Sequence, residues 1–563
     1  MSEPRVTAAM AARGRALSEP RLSPDGTRLA CVVRDAGGTR LVAVPSSGGP
    51  ELVLTTDPAP AFRGGVYDWL PDGSALVYAT GRGDLVLTPA DGGPACILLE
   101  EAQAAGVAAS PDGRHVAFVA DLARVVVHDL ATGAAEPRPR TADFCVDPAW
   151  SPDGRLAWHE WDVPHMPWDD SRIVVDGRPV AGGEGVAVQQ PRWSSDGRLA
   201  YLSDRTGFLN LWLLDEPFEH GGPTWGPGQR TFAWSPDSRT IAFTRNEGGF
   251  GRLLLLDVAT GAATERTKGV CTALDWRGES LACLRSGART PTNVTVDGRV
   301  VLRGPVGGFE AADLPEPEVV HFAADDGTEL HGRLYAPGAD RPLLVWLHGG
   351  PTDQRRVEFD GRLAWFLDRG WAVLFPDYRG STGWGRAYVQ ALAGRWGELD
   401  VADAAASVGA ARAHGWGDPR RTVTMGASAG GFTVLRLMQE HPGLVAAGVA
   451  LYPVVDLLDM AATTHRYEAH YTDTLVGLLP EAEDRYRARS PITGAARIVD
   501  PLLVLHGSDD VVVPAAQSAA LAERVPQAEH HVYEGEGHGW SRPATTEDEL
   551  ERVAAFLDRN VLG

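Results

Sequence analysis

The sequence has no uninterrupted apolar run close to the roughly 20 residues that a membrane-crossing helix needs. Its first 17 residues carry arginines but no apolar core of the secretory-leader kind. A short helix over 6–17 and a cytoplasmic location are therefore expected. Cysteine is sparse, with Cys31, Cys96, Cys145, Cys271 and Cys283 scattered along the chain. No pair has zinc-ligand spacing, so the five read as small buried apolar residues. Basic charge is short as well: 52 Lys+Arg face 74 Asp+Glu, for a formal net charge of -22. That balance excludes the basic footprint of a nucleic-acid binder and argues against an anionic membrane surface. No Walker loop, dinucleotide fingerprint or metal-ligating cluster stands out, so neither a cofactor nor a metal is expected. The 563 residues are ample for two domains.

What is present first is a repeat. Ser23-Pro24-Asp25-Gly26 returns as Leu70-Pro71-Asp72-Gly73, Ser110-Pro111-Asp112-Gly113, Ser151-Pro152-Asp153-Gly154, Ser194-Ser195-Asp196-Gly197 and Ser235-Pro236-Asp237-Ser238. A degenerate seventh copy is Trp276-Arg277-Gly278-Glu279-Ser280. The six aspartates are 47, 40, 41, 43 and 41 residues apart, and an apolar strand follows nearly every copy. Proline presets φ and glycine accepts positive φ, so each phrase turns the chain between two strands. A period near 40 built of short strands marks a β-propeller, and seven copies mark seven blades. The aromatic and acidic segment 158–169 breaks the rhythm. It reads as a blade strand with its loop, or as a loop offering Glu160 or Asp162 to a substrate amine.

Beyond the proline-stiffened stretch 314–317 the pattern changes. Two strands around Asp326-Gly327 read as a hairpin. Continuous apolar strands over 343–347, 372–375, 422–425, 446–451 and 502–505, and a more polar one over 530–533, then alternate with helical stretches. A final helix is expected over 546–557. Such strands predict a doubly wound, mostly parallel sheet covered on both faces.

Catalytic groups in such sheets sit just past the C-terminal ends of strands. Ser428 stands there inside Gly426-Ala427-Ser428-Ala429-Gly430, the G-x-S-x-G pattern of a nucleophile on a tight strand-to-helix turn. His348-Gly349-Gly350-Pro351, Asp509-Asp510 and His538 follow three other strands. The order Ser428, acid, His538 is that of an α/β-hydrolase triad, with Asp509 and Asp510 not separable by position alone. His530 and His531 lie within a strand, and His506 precedes the acid.

These motifs resemble the prolyl oligopeptidase family of serine peptidases, over essentially the full length. The resemblance is carried by His348-Gly349-Gly350-Pro351, by Asp377-Tyr378-Arg379-Gly380-Ser381-Thr382-Gly383, and by Gly394-Arg395-Trp396-Gly397-Glu398-Leu399-Asp400. It extends through Gly426–Gly431, His506-Gly507-Ser508-Asp509-Asp510-Val511-Val512-Val513-Pro514 and Gly537-His538-Gly539, and is nearest to the acylaminoacyl-peptidase-like and aminopeptidase-like branch. It implies the acid to be Asp510, and backbone N–H groups of Gly349 or Gly350 and of Ala429 as the oxyanion hole. It implies Val454, Leu457 and Val513 as walls of the pocket before the cleaved bond, with Phe432, Tyr452 and Trp540 as further candidates. It also implies an N-terminal helix docked on the hydrolase domain, and domains over 1–18, 19–312 and 313–563.

The function expected is hydrolysis of short peptides or peptide-like amides through a Ser-Asp-His triad and an acyl-enzyme. An apolar or aromatic residue is expected before the cleaved bond, with the propeller as a size filter. Acylaminoacyl-peptidase activity, hydrolysis of one aminoacylated metabolite or antibiotic, and a non-catalytic propeller binding module are the alternatives. The partner expected is a short peptide or aminoacyl-amide substrate, with no nucleic acid and no membrane. Self-association into a homo-oligomer stays open.

Overall fold

The structure is a computed structural model that describes residues 5–12, 14–59, 64–305, 308–309 and 314–563. It divides into two compact units. One comprises Met1–Gly14, Gly307–Arg355 and Phe359–Gly563; the other comprises Arg15–Val306 with Arg356–Glu358. The expected domain boundary at 312/313 lies outside the described residues.

The second unit is a seven-bladed β-propeller. Six of its sheets have four strands; the fifth, at Val188–Trp193, Leu199–Ser203 and Asn210–Leu211, has three among the described residues. The repeat explains the blades atom by atom. Ser23 Oγ donates to Asp25 at 2.5 Å and accepts the N–H of Arg28 at 3.0 Å, which closes the turn into the next strand. The same pair of bonds recurs at Ser110, Ser151, Ser194 and Ser235. The Ser23 hydroxyl and the Thr27 N–H hold the Asp25 carboxyl at about 2.

Tryptophans ahead of these turns tie each blade to the one before. The indole N–H of Trp69, Trp150, Trp193 and Trp234 donates to a backbone carbonyl of Arg21, Ala108, Ala149 and Arg192 respectively. Arg28, Arg155 and Arg198 lie over the faces of Trp69, Trp193 and Trp234, a cation–π contact that adds to the staple.

The ring closes without exchange of strands. All four strands of the first blade come from 16–55 and all four of the last from 270–303. The seam is held by the Leu22 N–H on Asp275 at 2.8 Å and by an apolar cluster joining Leu17, Leu22 and Leu29 to Val294, Val296 and Leu302. Arg15, at the start of the strip, donates to the Arg303 carbonyl at its end.

In the first unit an eight-stranded sheet runs, in space, Glu318–Ala323, Glu329–Tyr335, Ala372–Asp377, Leu343–Leu347, Thr422–Ala427, Ala447–Leu451, Leu502–Gly507 and Ala528–Tyr533. Its first three strands are antiparallel neighbours and all later pairings are parallel. Leu343, Val345, Leu374, Val504 and the helix residues Val434, Leu437 and Met438 share one buried core. The chain steps from Leu343–Leu347 to Ala372–Asp377 on one side and then to Thr422–Ala427 on the other. That reversal opens a crevice at the strand ends.

The N-terminal helix differs from expectation. It spans Ala8–Ala12, not 6–17, and packs on the helices Gly361–Asp368 and Pro543–Leu557. Val6 N–H donates to Asp368 at 2.7 Å and Arg369 donates to the Val6 carbonyl at 2.9 Å. Residues Ala16–Leu22 instead form the inner strand of the first blade, where Leu17 and Leu22 are buried. Of the cysteines, four are buried as expected, whereas Cys96 is exposed on an outer blade strand. No described helix is long and apolar enough to cross a membrane.

Candidate active site

The strand Thr422–Ala427 ends in Ser428, whose φ of 54° is left-handed, and the helix Ala429–Glu440 begins at once. A non-glycine residue held there stores of the order of 1–3 kcal/mol of strain, which the surrounding contacts must hold in place. The turn is that tight because no side chain intervenes. A Cβ on Gly430 would lie 2.4 Å from the Leu347 carbonyl oxygen and 2.7 Å from that of His348. The Ser428 N–H is anchored on the Leu451 carbonyl at 3.0 Å.

Two further strand ends deliver side chains to this hydroxyl. His538 follows Ala528–Tyr533 and places its Nε2 2.9 Å from Ser428 Oγ. Its Nδ1 lies 2.7 Å from Asp510 Oδ2. The other carboxylate oxygen accepts the N–H groups of Val512 at 2.9 Å and Val513 at 2.8 Å. Burial disfavours the Asp510 charge, but hydrogen bonds from His506, His538 and the Val513 N–H outweigh it and hold the carboxyl well below the usual range. Asp509 is exposed and bonded to the Ser508 hydroxyl, so of the two adjacent acids only Asp510 is turned to the imidazole.

His506 escapes a reading of positions along the chain. It is fully buried, its Nε2 is 2.9 Å from the Val513 carbonyl and 3.3 Å from Asp510 Oδ2, and its Nδ1 has no hydrogen-bond partner among the described residues. The signal in the sequence is its place four residues before the acid, at the end of an apolar strand.

The loop after Leu343–Leu347 lies along the other side of Ser428. His348 is pinned there: Nε2 is 2.7 Å from Ser381 Oγ, and the Tyr378 hydroxyl donates to the His348 carbonyl at 2.7 Å. The Tyr378 ring stacks on the imidazole at 4.4 Å. Burial pushes the His348 pKa down, so the ring is held neutral. A Cβ on Gly349 would stand 3.0 Å from the Ala427 carbonyl oxygen and 3.5 Å from Ser428 Cβ, so the loop lies against the elbow and a side chain there would crowd the Ala427 carbonyl. Gly350 has φ 112°. Ala429 opens its helix, so its N–H is one of the four without an intrahelical acceptor. The glycine loop at Gly349 and the helix start at Ala429 thus lie next to the serine, and the helix dipole there favours negative charge.

Of the expected substrate-binding residues, Tyr452 and Trp540 adjoin the imidazole. The Tyr452 ring is 4.8 Å from His538 and 5.2 Å from Trp540, and burial pushes its phenol up to about 12. Trp540 donates its indole N–H to Glu549 at 2.5 Å. Val454, Leu457 and Val513 are buried, and Phe432 is buried against Trp396 at 4.5 Å. In the propeller, Glu160 accepts from Trp158 Nε1 at 2.8 Å, Arg172 Nε at 3.0 Å and the Thr141 hydroxyl. Asp162 accepts from Arg172 at 2.7 Å and the Asp143 N–H at 3.1 Å. Both acids therefore already have a guanidinium partner.

The arrangement has the parts for acyl transfer: a hydroxyl, a base in contact with it, an acid fixing the base, and donors beside the hydroxyl. Comparison with known proteins agrees. The sequence model of the prolyl oligopeptidase family matches residues 357–563. An acylamino-acid-releasing enzyme of Arabidopsis thaliana is 30% identical over 234 residues, covering 39% of this chain and 30% of that protein. A dipeptidyl aminopeptidase BIII of Pseudoxanthomonas mexicana is 30% identical over 212 residues, covering 36% of this chain and 31% of its own length. The chain thus spans less than a third of either relative. Among solved structures, a puromycin-hydrolyzing peptidase of Mycobacterium tuberculosis superposes with a TM-score of 0.91 at 28% identity, over 99% of this chain and 96% of that one. A puromycin hydrolase gives 0.88 at 29% identity, over 98% and 96%. Residues 357–563 thus match the prolyl oligopeptidase family, and over nearly its whole length the chain is similar to two puromycin-hydrolysing proteins of known structure.

Proposed function

We propose that the chain is a serine hydrolase that cleaves short peptides or peptide-like aminoacyl amides through an acyl-enzyme on Ser428. The observation that carries this is the unbroken hydrogen-bond relay from Ser428 Oγ through His538 to Asp510, at 2.9 and 2.7 Å. As the Ser428 oxygen attacks the amide carbonyl, its proton passes to His538 Nε2. The carbonyl oxygen takes up the negative charge between the N–H of Ala429 and that of Gly349 or Gly350. His538 then returns the proton to the leaving amine, and water repeats the cycle on the ester. Asp510 keeps the imidazole in one tautomer and balances its charge while it is protonated. Removing one oxyanion donor is expected to raise the barrier by about 3–4 kcal/mol. Tyr452 and Trp540 beside His538 favour an apolar or aromatic side chain before the cleaved bond, with Val454, Leu457 and Val513 as its walls. The propeller is read as a size filter, so folded proteins should resist cleavage.

A second reading rests on the likeness to two puromycin-hydrolysing structures at 28% and 29% identity. On this reading the natural substrate of the chain would be a single aminoacylated compound, and peptides would be cleaved poorly. One assay series addresses both readings. Puromycin, an aminoacyl-p-nitroanilide, its N-acetylated form and a series of short peptides are compared by kcat/KM. Peptide-like amides with a free amine should be cleaved fastest. Faster cleavage of the acetylated nitroanilide would reassign the enzyme as an acylaminoacyl-peptidase. Absence of both turnover and fluorophosphonate labelling at Ser428 would leave only a binding module.

A further inference from the structure

Among the described residues, one cluster of ligating side chains lies outside the Ser428 region. It sits on the hairpin at the sheet edge, where Glu318–Ala323 pairs antiparallel with Glu329–Tyr335. In that register His321 is directly opposite His331, and Glu329 is its diagonal neighbour. Residues 329 and 331 share a face because side chains alternate along a strand. The three ligand atoms all lie within 4.8 Å of one another.

The contact between the two imidazoles is the informative one. Nδ1 of His321 and Nδ1 of His331 are 2.9 Å apart, and Oε1 of Glu329 is 3.6 Å from the first. Two ring nitrogens facing each other can share only one proton, so one of them must present a lone pair. Metal–nitrogen bonds of about 2.0–2.1 Å at a tetrahedral centre set the two nitrogens about 3.3 Å apart, so a small splay of the rings would admit the ion. His331 is the buried member of the pair. Its orientation is fixed by stacking on Trp384, with centroids 3.6 Å apart and planes 17° apart. The carboxylate adds a negative charge beside the two rings, and two imidazoles with one carboxylate suit zinc and its neighbours rather than magnesium or calcium.

We propose that His321, Glu329 and His331 form a cross-strand site for a borderline divalent cation such as zinc, clipping together the two outer strands of the hydrolase sheet. Each histidine would bind through Nδ1 and keep its proton on Nε2. Three protein ligands leave one position for water. The sequence alone did not suggest it, because residues ten apart become ligands only once the hairpin register is known.

The test uses the full chain, stripped with EDTA and titrated with zinc by calorimetry. The side chains of His321 and Glu329 are 50% and 70% exposed, so His321→Gln and Glu329→Gln should fold normally. One site per chain is expected, weakened at least tenfold in each variant, with a zinc-dependent rise in melting temperature that His321→Gln loses. Copper should quench Trp384 fluorescence, read as the difference between the parent and Trp384→Phe, and His321→Gln should abolish that quenching. A parent chain that takes up no zinc, or either glutamine variant binding as the parent does, overturns the proposal.

Discussion

His506 and Asp510 are both buried, and the imidazole Nε2 approaches the same carboxylate oxygen, Oδ2, that His538 uses. One oxygen of the acid thus serves two rings while the other is held by two backbone N–H groups. His506 acts as a positioning residue in this reading, because it touches the acid and not the substrate. Replacing it with Phe removes a hydrogen bond to a charged group, a loss of about 1.5–3 kcal/mol, or roughly ten- to a hundredfold in kcat. KM should change little. With that N–H gone the Asp510 carboxylate is less stabilised, so the acid limb of the pH–rate profile should move upward. His506→Gln, which restores a donor, should recover part of the rate.

Ser428→Ala should remove turnover by roughly 10⁴-fold or more. Among the described residues the hydroxyl hydrogen-bonds to the imidazole of His538, so melting temperature should be close to the parent value or slightly higher. Steady-state assay on an aminoacyl-p-nitroanilide, with a fluorophosphonate label as a second readout, checks both parts. A variant with parental turnover would remove the assignment.

Gly430→Ala places a methyl 2.4 Å from the Leu347 carbonyl and 2.7 Å from that of His348. The elbow and the glycine loop must separate to admit it. A loss of stability of about 1–3 kcal/mol is expected from overpacking. Activity should fall by more than the folded fraction explains, because the same separation widens the gap between Ser428 and the loop donors. Urea unfolding alongside kcat/KM per folded molecule distinguishes the two effects.

Asp400 gives the fold a pH dependence of its own. It is fully buried, accepts from the Gly397 N–H at 2.6 Å and the Thr433 hydroxyl at 2.7 Å, and burial raises its pKa from 3.8 to about 6. Because the folded value is raised, the protonated acid favours the native state. That stabilisation is complete below about pH 4 and is lost as pH rises through 6, by about 3 kcal/mol. Asp400→Asn cannot ionise, so the stability difference between parent and variant should change by that amount between pH 4 and 7. Denaturant melts across that range provide the check. A difference that does not vary with pH would refute the raised pKa. Asp510 has the opposite sign: its depressed pKa contributes stability above about pH 4 that is lost as pH falls below it.

Much of the fold was legible because it rests on local chemistry. The Ser-Pro-Asp-Gly phrase specifies its own turn through the serine and aspartate side chains, so the blades could be counted from sequence. Apolar runs such as 343–347 and 502–505 became central parallel strands because both of their faces are covered. Features set by pairing over distance were hidden. Residues 13–17 look helical in isolation, yet Leu17 and Leu22 gain more from the apolar cluster shared with the last blade. The fifth blade carries the turn phrase but has three strands, a difference no turn signal encodes. The order of Ser428, Asp510 and His538 was visible along the chain, whereas the second imidazole on the acid and the histidine pair at the hairpin needed registers and turns to be known.

The seam of the propeller has a consequence for how such a chain is assembled. The strip of blades begins and ends at one place, with Arg15 bonded to the Arg303 carbonyl. Within the hydrolase unit the flanking segments meet likewise, since a Cβ on Gly308 would touch the Met10 side chain. A length of chain whose two ends coincide, set between segments that also coincide, has the connectivity of an inserted cassette. Its host can be joined across the gap by a short loop, and its guest can be lifted out, resized or exchanged without rethreading either.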